Sequence, residues 1–549
     1  MESMSFYQVS SLEKVYLDYK VPEKEITYIS GMKNERISYQ IAYTGYIKFM
    51  RRKMKISVSS PLKDSITIRM VGNVPSEYPV SIDCDEHYER YSPGLFPDVL
   101  YPMEEECIDV KCSVWHSLWI TVEPDGIFDK GIYPVDITFE DEEEKFTKHI
   151  DIELIDAQLP EQELIFTQWF HTDCISDFYN LDVFSEKHWE LIDKFIAMAV
   201  RNGINMILTP IFTPPLDTQI GGERTTVQLV DVKIDNGKYT FNFDKLRNWI
   251  AICKKNGVRY YEMAHLFTQW GAEATPKIIA CVDGEEKRIF GWDVASTSRE
   301  YEEFLSKFLP ALSDVLQKEQ IDKNTFFHIS DEPRPNHQER YLQLKNMVKK
   351  YLPGYTILDA MSDYSFYENG IADLAVVANN HMEKFLENNV SNLWTYYCTS
   401  QSVDVSNRFM AMPSYRNRII ATQLYKFDVK GFLHWGYNYY NSELSVKKIN
   451  PFVVTDSTNY FQSGDAFSVY PYTNGPIESL RIVVFTEALQ DLRAFKLLEG
   501  YIGKAQTLKL IEDMAQMEIQ FDKYPHSSEY LLSMREAVNK RIKEQIEFN

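Results

Sequence analysis

The feature that most constrains the fold is an alternation of apolar, strand-like runs with amphipathic helical stretches, from residue 159 to about residue 500. The first unit is LIFTQWFH followed by SEKHWELIDKFIAMAVRNG, in which Ile192, Phe195 and Met198 recur at helical spacing and Gly203 closes the helix. Eight such units can be counted, and the last begins at GFLHWGYNYY. Repeated strand–helix units give parallel strands, so eight of them predict a closed (β/α)8 barrel of the TIM type.

Two units depart from the regular rhythm. After the second predicted strand, the insertion VQLVDVKIDNGKYTFNF has the pattern of a hairpin, and the third strand leads to its helix through a long loop. The fifth unit is short, with YTILDAM followed by a brief segment around YSFYENG. We therefore expect a barrel with an elaborated early half and a more compact late half.

The chain before the alternation has the pattern of a β domain. YPVDITFED places Val135, Ile137 and Phe139 on one face and polar residues on the other. Short strands at this spacing predict a sandwich. The predicted architecture is therefore multidomain β plus α/β, with an N-terminal β-sandwich (1–158), a barrel (159–504) and C-terminal helices packed on the barrel (505–549).

Charge and composition exclude several classes of partner and site. The net charge of −22 argues against nucleic acid or an anionic membrane, whose phosphates would be repelled. The N-terminus lacks a signal-peptide pattern, and no stretch approaches the ~20 apolar residues of a membrane span. Seven cysteines without CxxC spacing indicate reduced thiols, so we expect a cytoplasmic protein. Neither HExxH, nor zinc-spaced ligands, nor a phosphate-binding glycine loop occurs, so we predict no metal and no cofactor.

Two adjacent carboxylates, Asp331 and Glu332, stand where the fourth predicted strand ends, directly before Pro333. Barrel enzymes build their sites at the carboxyl ends of the strands. Once a strand leaves its ladder both side chains can face the barrel mouth, and proline removes a ladder donor. A solvated loop or a helix N-terminus, whose dipole favours negative charge, would also explain the pair. Their position in the barrel favours a catalytic pair.

Other strand ends carry residue types that bind sugars. Flat aromatic rings pack on the apolar face of a pyranose, while amides and imidazoles bond its hydroxyl groups. Any one of these residues could be a core residue, but they converge on one rim and accompany an acidic balance. We predict a neutral carbohydrate ligand bound by His171, His265, Trp270, Asn380, Tyr396, Trp435 and Asn438.

Several spaced motifs occur in an order typical of one enzyme family. They are HLFTQWGAEATPKI (265–278), HISDEP (328–333), LWTYYC (393–398), GFLHWGYNYY (431–440) and SGDAFSVYP (463–471). With the predicted sandwich before them, they make most of the chain resemble glycoside hydrolase family 123, within the wider group that shares the DUF4091 barrel domain.

The resemblance implies an exo-acting β-N-acetylgalactosaminidase that works by substrate-assisted retention. Glu332 falls on the general acid/base and Asp331 on the residue that orients the 2-acetamido group. Two departures are visible. The family's GDGxLxYPG is GDAFSVYPY here, with Ala466 and Tyr472 in place of glycines, and the last helix begins LRIVVFTEALQD in place of an acidic-then-glycine pattern.

This mechanism would account for the adjacency of the two acids. A conventional retaining glycosidase needs two carboxyl groups roughly 5 Å apart on opposite sides of the bond, and chain neighbours rarely bracket a substrate in this way. If the acetamido carbonyl attacks the anomeric carbon, no protein nucleophile is needed. Glu332 must then be largely protonated near neutral pH, which limited solvation and the charge of Asp331 would favour.

Two other functions stay open. The barrel could hydrolyse another hexosaminide or an unmodified hexoside, in the latter case with Glu262, Asp359 or Asp363 as nucleophile. It could also be a non-catalytic glycan-binding protein. The intact acid pair argues against the binding protein, which has no need of both carboxylates.

Overall fold

The computed structural model describes residues 4–46 and 51–548. The chain forms two compact units, and neither is continuous in sequence. The first comprises residues 1–162, 402–426 and 477–549, and the second comprises residues 163–401 and 427–476. The domain boundaries at residues 158 and 504 stay predictions, because each unit combines separate stretches of chain.

The first unit contains two five-stranded sheets whose apolar faces share one core. One sheet is antiparallel, in the order Met4–Ser10, Ile37–Gly45, His116–Val122, Ile66–Ser76, Gly94–Pro102. The other has the order Tyr28–Met32, Lys145–Ile155, Gly131–Glu140, Arg51–Ser59, Cys107–Lys111, and its first strand runs parallel to the second. Val135, Ile137 and Phe139 lie buried against Ile41 and Ile120 of the opposite sheet. The predicted sandwich is confirmed.

The helices of the first unit follow the late part of the sequence. They are Ser414–Arg418, Ile420–Lys426, Leu480–Ile502, Lys504–Ala515 and Ser528–Phe548. The longest begins after Ser479, whose side chain accepts a hydrogen bond from the Ile482 amide at 3.2 Å. The predicted C-terminal helices are therefore present and belong to the unit that contains the sandwich, and their packing on the barrel stays a prediction.

The second unit is built on a closed barrel of eight parallel strands. The strands are Ile165–Gln168, Met206–Thr209, Tyr260–Met263, Thr325–Phe327, Thr356–Ala360, Leu374–Ala378, Trp394–Tyr396 and Gly431–His434. The first and eighth pair in register, from Ile165 with Gly431 to Gln168 with His434, which closes the barrel as predicted. The helices of this unit are Thr172–Tyr179, Glu186–Arg201, Asp244–Asn256, Arg299–Lys318, Gln338–Tyr351, Ser365–Glu368 and Glu383–Glu387. Among the described residues, no helix is long and apolar enough to cross a membrane.

A four-stranded side sheet elaborates the early half of the barrel. The predicted hairpin is present as Asp231–Asp235 and Lys238–Asn242. The expected long loop between the third strand and the helix Arg299–Lys318 contains a second hairpin, Ile278–Val282 with Glu285–Phe290. The chain turns at Asp283 and Gly284, whose φ angles are 48° and 91°. Two central residues with positive φ are typical of a tight hairpin turn. A parallel pairing with residues 232–234 completes the sheet, and the local pattern alone does not reveal that contact.

The fourth barrel strand is shorter than predicted. It ends at Phe327, four residues before Asp331, because its barrel pairing with the fifth strand stops there. Beyond that point the backbone amides of Ile329 and Ser330 donate hydrogen bonds to the Asp359 carboxylate, at 3.0 and 3.4 Å. The carboxylate takes the place of the backbone carbonyls of a neighbouring strand. The chain leaves the ladder but stays anchored, and this anchoring leads the acid pair to the barrel mouth.

Candidate active site

A cavity of about 630 Å³ opens at the carboxyl ends of the barrel strands. Its volume lies within the range of small-molecule sites, at the face where barrel enzymes carry their chemistry. We call it the first cavity. Seven of the eight strands contribute to its wall, through their last residues or the segments that follow them. These residues include Trp169, Asp217, Trp270, Asp331, Glu332, Ala360, Tyr396, Leu433, Trp435 and Phe461.

Both acids of the predicted pair line the first cavity. Glu332 has φ of 41°, a left-handed backbone conformation that a residue with a Cβ rarely adopts. This turn breaks the alternation of a strand and allows both neighbours to face one space. Trp270 and Asp217, also on the wall, have φ of 56° and 38°. Strained backbone of this kind clusters at functional sites, where the surrounding structure holds it in place.

Hydrogen bonds fix one acid of the pair and one aromatic ring of the wall. The Tyr396 hydroxyl donates to Oε1 of Glu332 at 2.7 Å. The indole Nε1 of Trp435 donates to Oδ2 of Asp465 at 2.9 Å. Tyr396 therefore orients the Glu332 carboxylate, and Asp465 fixes the plane of the Trp435 ring.

The electrostatics of the pair differ from the prediction in one respect. Burial raises the pKa of Asp331 well above its ordinary value, the negative charges of Glu332 and Asp359 raise it further, and His328 opposes them. From the sequence we expect the proton on Glu332, whereas these surroundings favour the protonated form of Asp331.

A buried charged network supports the segment that carries the acids. His328 donates from Nδ1 to Asp359 and from Nε2 to Glu262, both at 3.0 Å. Burial alone would lower the pKa of His328, but the bonds to the two carboxylates outweigh burial and raise it to about 9. Tyr341 donates to the other oxygen of Asp359 at 2.6 Å. His328 is therefore an imidazolium that ties the third, fourth and fifth strands together.

One group of side chains has the spacing of a metal site. Ligand atoms of His265, His328 and Asp359 lie within 4.8 Å of one another, and all three residues are buried. Both nitrogens of His328 already donate to carboxylates, however, so neither offers a lone pair. The donor set fits a hydrogen-bonded network rather than a metal, and we assign no metal to it.

Three predicted sugar-binding residues lie behind the cavity wall instead of on it. Arg224 donates to Nδ1 of His171 at 3.0 Å, and Nε2 of His171 donates to the Trp435 carbonyl at 2.9 Å. Burial and the charge of Arg224 lower the pKa of His171 to about 3, so the ring is neutral. Asn438 is fully buried and holds the backbone of His171 through two hydrogen bonds of 2.8 and 3.1 Å. These two residues support Trp435 rather than reaching the cavity.

The third of these residues, His265, is 1% exposed and stacks on His328 with ring centroids 4.1 Å apart. Within the described part of the chain, neither of its ring nitrogens has a hydrogen-bond partner. Asn380 is exposed and lines a separate cavity of about 650 Å³, which also touches Glu332 and Tyr396. Trp270, Tyr396 and Trp435 line the first cavity with the acids, so the structure brings together five of the nine predicted site residues.

Sequence reasoning missed several contributors to this site. Asp217 lines the first cavity, and its Oδ2 accepts hydrogen bonds from the Tyr439 hydroxyl and, at 3.0 Å, from the Leu444 amide. Its position in TPIFTPPLD, soon after the second strand, was the available signal. Asp465 lies inside the motif SGDAFSVYP, which pointed to this segment without identifying the residue.

Comparison with known proteins gives the chain its family. The model of the glycoside hydrolase 123 catalytic domain matches residues 169–498. No curated protein sequence matches the chain. A solved family 123 glycoside hydrolase from Clostridium perfringens, described as hydrolysing glycolipid glycans, is 16% identical, with a TM-score of 0.73 over 100% of this chain and 98% of that one. At that identity the likeness concerns the fold.

More distant barrels are also similar. A β-glucuronidase from Parabacteroides merdae is 10% identical, with a TM-score of 0.33 over 89% of this chain and 52% of that one. An endo-β-1,4-mannanase from Thermotoga petrophila is 12% identical, with a TM-score of 0.34 over 61% of this chain and 77% of that one. The family assignment does not depend on either of them. Because the family model spans more than half of the chain, the protein belongs to glycoside hydrolase family 123.

Proposed function

We propose that this glycoside hydrolase releases terminal β-linked N-acetylgalactosamine by substrate-assisted, retaining hydrolysis. The observation that carries the proposal is the placement of Asp331 and Glu332, chain neighbours whose side chains line one cavity. Neighbouring carboxylates suit a mechanism in which one acid exchanges protons and the other steadies a nucleophile supplied by the substrate.

The positions of the other candidate nucleophiles support this mechanism. Glu262 and Asp359 are fully buried and bonded to His328, and Asp363 lines the separate cavity near Asn380. Among the described residues, Asp217 is the one further acid on the wall of the first cavity. Its Oδ2 already accepts two hydrogen bonds, which lower its nucleophilicity. A conventional retaining mechanism with a nucleophile outside the pair would have to use Asp217.

The proposed steps assign each acid one task. The substrate's acetamido oxygen attacks the anomeric carbon while Glu332 protonates the departing glycosidic oxygen, and an oxazolinium forms. Asp331 accepts the acetamide N–H and stabilises the developing positive charge. Glu332 then removes a proton from water, which attacks the same carbon and opens the ring with net retention.

Substrate binding also explains how Glu332 acquires a proton in this mechanism. In the cavity without sugar, burial favours the protonated form of Asp331. A hydrogen bond from the acetamide N–H stabilises the ionised form of Asp331. The proton that Asp331 releases then becomes available to Glu332, next to the Tyr396 hydroxyl. A substrate without the acetamido group would fail to trigger this transfer.

The identity of the sugar rests on the resemblance to family 123, and neither Ala466 nor Tyr472, the two residues that replace glycines of the family motif, lines the first cavity. Ala466 is buried, and its carbonyl would lie 2.4 Å from a Cβ on Gly436, so it packs behind the Trp435 segment. The Tyr472 carbonyl accepts a hydrogen bond from the Tyr179 hydroxyl at 2.6 Å. Ala466 and Tyr472 are therefore compatible with an unchanged sugar pocket.

A panel of aryl β-glycosides that differ only in the sugar and its 2-substituent tests the proposal. We expect turnover of the 2-acetamido galactoside and loss of turnover when the acetamido group is replaced by hydroxyl. A thiazoline analogue of the bicyclic intermediate should inhibit competitively. If an unmodified hexoside is turned over equally well, and a 2-fluoro sugar traps an adduct on Asp217, the conventional mechanism replaces this one. Binding of the sugar without product would indicate a glycan-binding protein.

A further inference from the structure

The first unit contains a small cavity of its own. Its volume is about 120 Å³, and all of its lining residues belong to the first unit. Residues of three sandwich strands and of the helices Ser414–Arg418, Leu480–Ile502 and Ser528–Phe548 contribute to its wall. We call it the sandwich cavity. The hydrolase site described above uses none of these residues, so the cavity is open to a separate function.

Two buried arginines of the wall, Arg418 and Arg535, both bind Asp491. Arg418 donates to both oxygens of Asp491, at 2.7 and 2.9 Å, and Arg535 donates to Oδ1 at 2.9 Å. Arg418 also donates to Oε2 of Glu487 at 2.8 Å, and Arg535 donates to Oε2 of Glu35 at 2.6 Å. Two positive charges therefore face three carboxylates, which leaves one negative charge in excess when all of these groups are ionised.

The charges around this network do not correct the imbalance. Arg36 on the wall belongs to a separate group in which two arginines face two glutamates. Glu536 on the wall adds a further carboxylate, and Arg493, whose charge acts on Glu35, adds a further guanidinium. These additions bring equal numbers of positive and negative charges. The excess of one negative charge therefore remains.

Two carboxylate oxygens on the wall are available to a ligand. Oε2 of Glu487 accepts a further hydrogen bond from the Ser11 hydroxyl at 2.8 Å, and Oε2 of Glu35 accepts one from the Met32 amide at 3.0 Å. Within the described part of the chain, the other oxygen of each carboxylate, Oε1, has no hydrogen-bond partner. Glu487 and Glu35 are nevertheless only 7% and 6% exposed. Because buried charges in proteins are paired, two such oxygens on one wall favour a cationic ligand.

The size and the apolar part of the cavity indicate which cation fits. The volume is several times that of one water molecule, so the cavity admits a ligand of several heavy atoms. Isoleucine side chains of the wall favour the burial of methylene groups. We propose that the sandwich cavity binds a short primary alkylammonium ion. The ammonium group donates to the free oxygens of Glu35 and Glu487, while the alkyl carbons pack on Ile26, Ile29 and Ile37.

The titration of Glu487 agrees with a cationic ligand. Burial raises the pKa of Glu487 to about 7, Asp491 and Glu35 add to the rise, and Arg418 and Ser11 oppose it. A proton and an ammonium ion therefore compete for the same carboxylate near neutral pH. Because the ionised fraction of Glu487 rises about tenfold from pH 6 to pH 8, the affinity for the ammonium ion should rise about tenfold as well.

A ligand-observed NMR titration of the protein with propylammonium chloride, at constant ionic strength, tests the proposal. We expect one saturable site, with an affinity that rises from pH 6 to pH 8. Potassium and tetramethylammonium have the same charge but no N–H donor, so each should bind at least about tenfold more weakly. Glu487→Gln should lower the affinity for propylammonium about 10–100-fold and remove its pH dependence. Glu499→Gln is the matched control, because Glu499 lies on the same helix but does not line the cavity.

A second variant fills the cavity without changing its charge. Leu532 lines the wall and is half-buried, so Leu532→Trp should abolish propylammonium binding even if Glu487→Gln does not fold. Ser533→Trp, at the exposed neighbouring position, is its control. The proposal is overturned if the wild-type protein does not bind propylammonium, if potassium binds as tightly, or if Leu532→Trp binds unchanged. Loss of binding in Leu532→Trp with full binding in Glu487→Gln would indicate a ligand held without its charge and would also contradict the proposal. Because the measured quantity is binding, the result is independent of the proposed hydrolysis.

Discussion

The Tyr396 hydroxyl donates a hydrogen bond to Oε1 of Glu332 across 2.7 Å, from the seventh barrel strand to the segment after the fourth. Tyr396 is 7% exposed, so water has limited access to its side of this hydrogen bond, which is electrostatically stronger there than it would be in water. The bond makes the orientation of the proposed proton donor depend on a residue 64 positions away in the chain.

Tyr396→Phe should therefore weaken proton donation without removing the ring. A hydrogen bond to a charged group contributes about 1.5–3 kcal/mol, which corresponds to roughly 10–100-fold in rate. We expect kcat to fall by this amount on glycosides with poor leaving groups and by less on activated aryl glycosides. Tyr351→Phe, at the end of an outer helix, serves as control. An equal loss on all leaving groups would contradict an orienting role.

The two acids should be distinguishable by a series of leaving groups. Glu332→Gln removes the proton donor, so the rate on substrates with poor leaving groups should fall about 10²–10⁴-fold. An activated aryl glycoside should retain more of its first-step rate. Asp331→Asn removes the charge opposite the oxazolinium, so both kinds of substrate should lose about 10²–10³-fold. Exposed Glu339→Gln is the control. Parallel losses for both variants across the whole series would argue against separate roles.

Trp435→Ala should reduce kcat/KM by about 10²-fold, since the ring shapes the wall that positions the sugar. The barrel should keep its thermal transition, because the indole is only partly buried. Half-buried Trp189, on the helix Glu186–Arg201, provides the matched control as Trp189→Ala. A variant that loses its thermal transition but stays active in its folded fraction would identify Trp435 as a core residue.

His328 should couple stability to pH. Its pKa in the folded chain is about 9 against an ordinary 6.5, so proton binding favours folding. The stabilisation is complete below about pH 6.5 and is lost as the pH rises through about 9, and a displacement of this size corresponds to roughly 3 kcal/mol. Thermal unfolding of the wild-type protein across this range measures the loss.

The matching variant is His328→Gln, which leaves two buried carboxylates without their cation and should destabilise the fold by about 3–5 kcal/mol at neutral pH. His149→Gln removes a half-exposed histidine that pairs with Asp136 and should cost less than ~1 kcal/mol. Adding Glu262→Gln to His328→Gln should recover part of the loss. Equal effects of the two histidine variants would contradict a buried imidazolium.

The sequence by itself determined the barrel, the sandwich and the location of the acid pair. Strand and helix periods are local, so eight alternating units required parallel strands, and parallel strands place their carboxyl ends at one mouth. The same rule brought Trp270, Tyr396 and Trp435 to the cavity with Asp331 and Glu332. The turn residues in the sequence were sufficient to predict the hairpin Asp231–Asp235 with Lys238–Asn242.

Only the tertiary structure decided which side chains at the barrel mouth face the cavity. His171 lies behind the cavity wall because Arg224, 53 positions away, donates a hydrogen bond to it. His265 lies behind the wall because it stacks on His328. Sequence spacing places a residue near a strand end, but its direction depends on φ and on partners distant in the chain. The left-handed backbone of Glu332 is such a case, since Asp359 and the loop at Trp270 anchor the preceding segment. Long-range hydrogen bonds of this kind leave no periodic signal in the sequence.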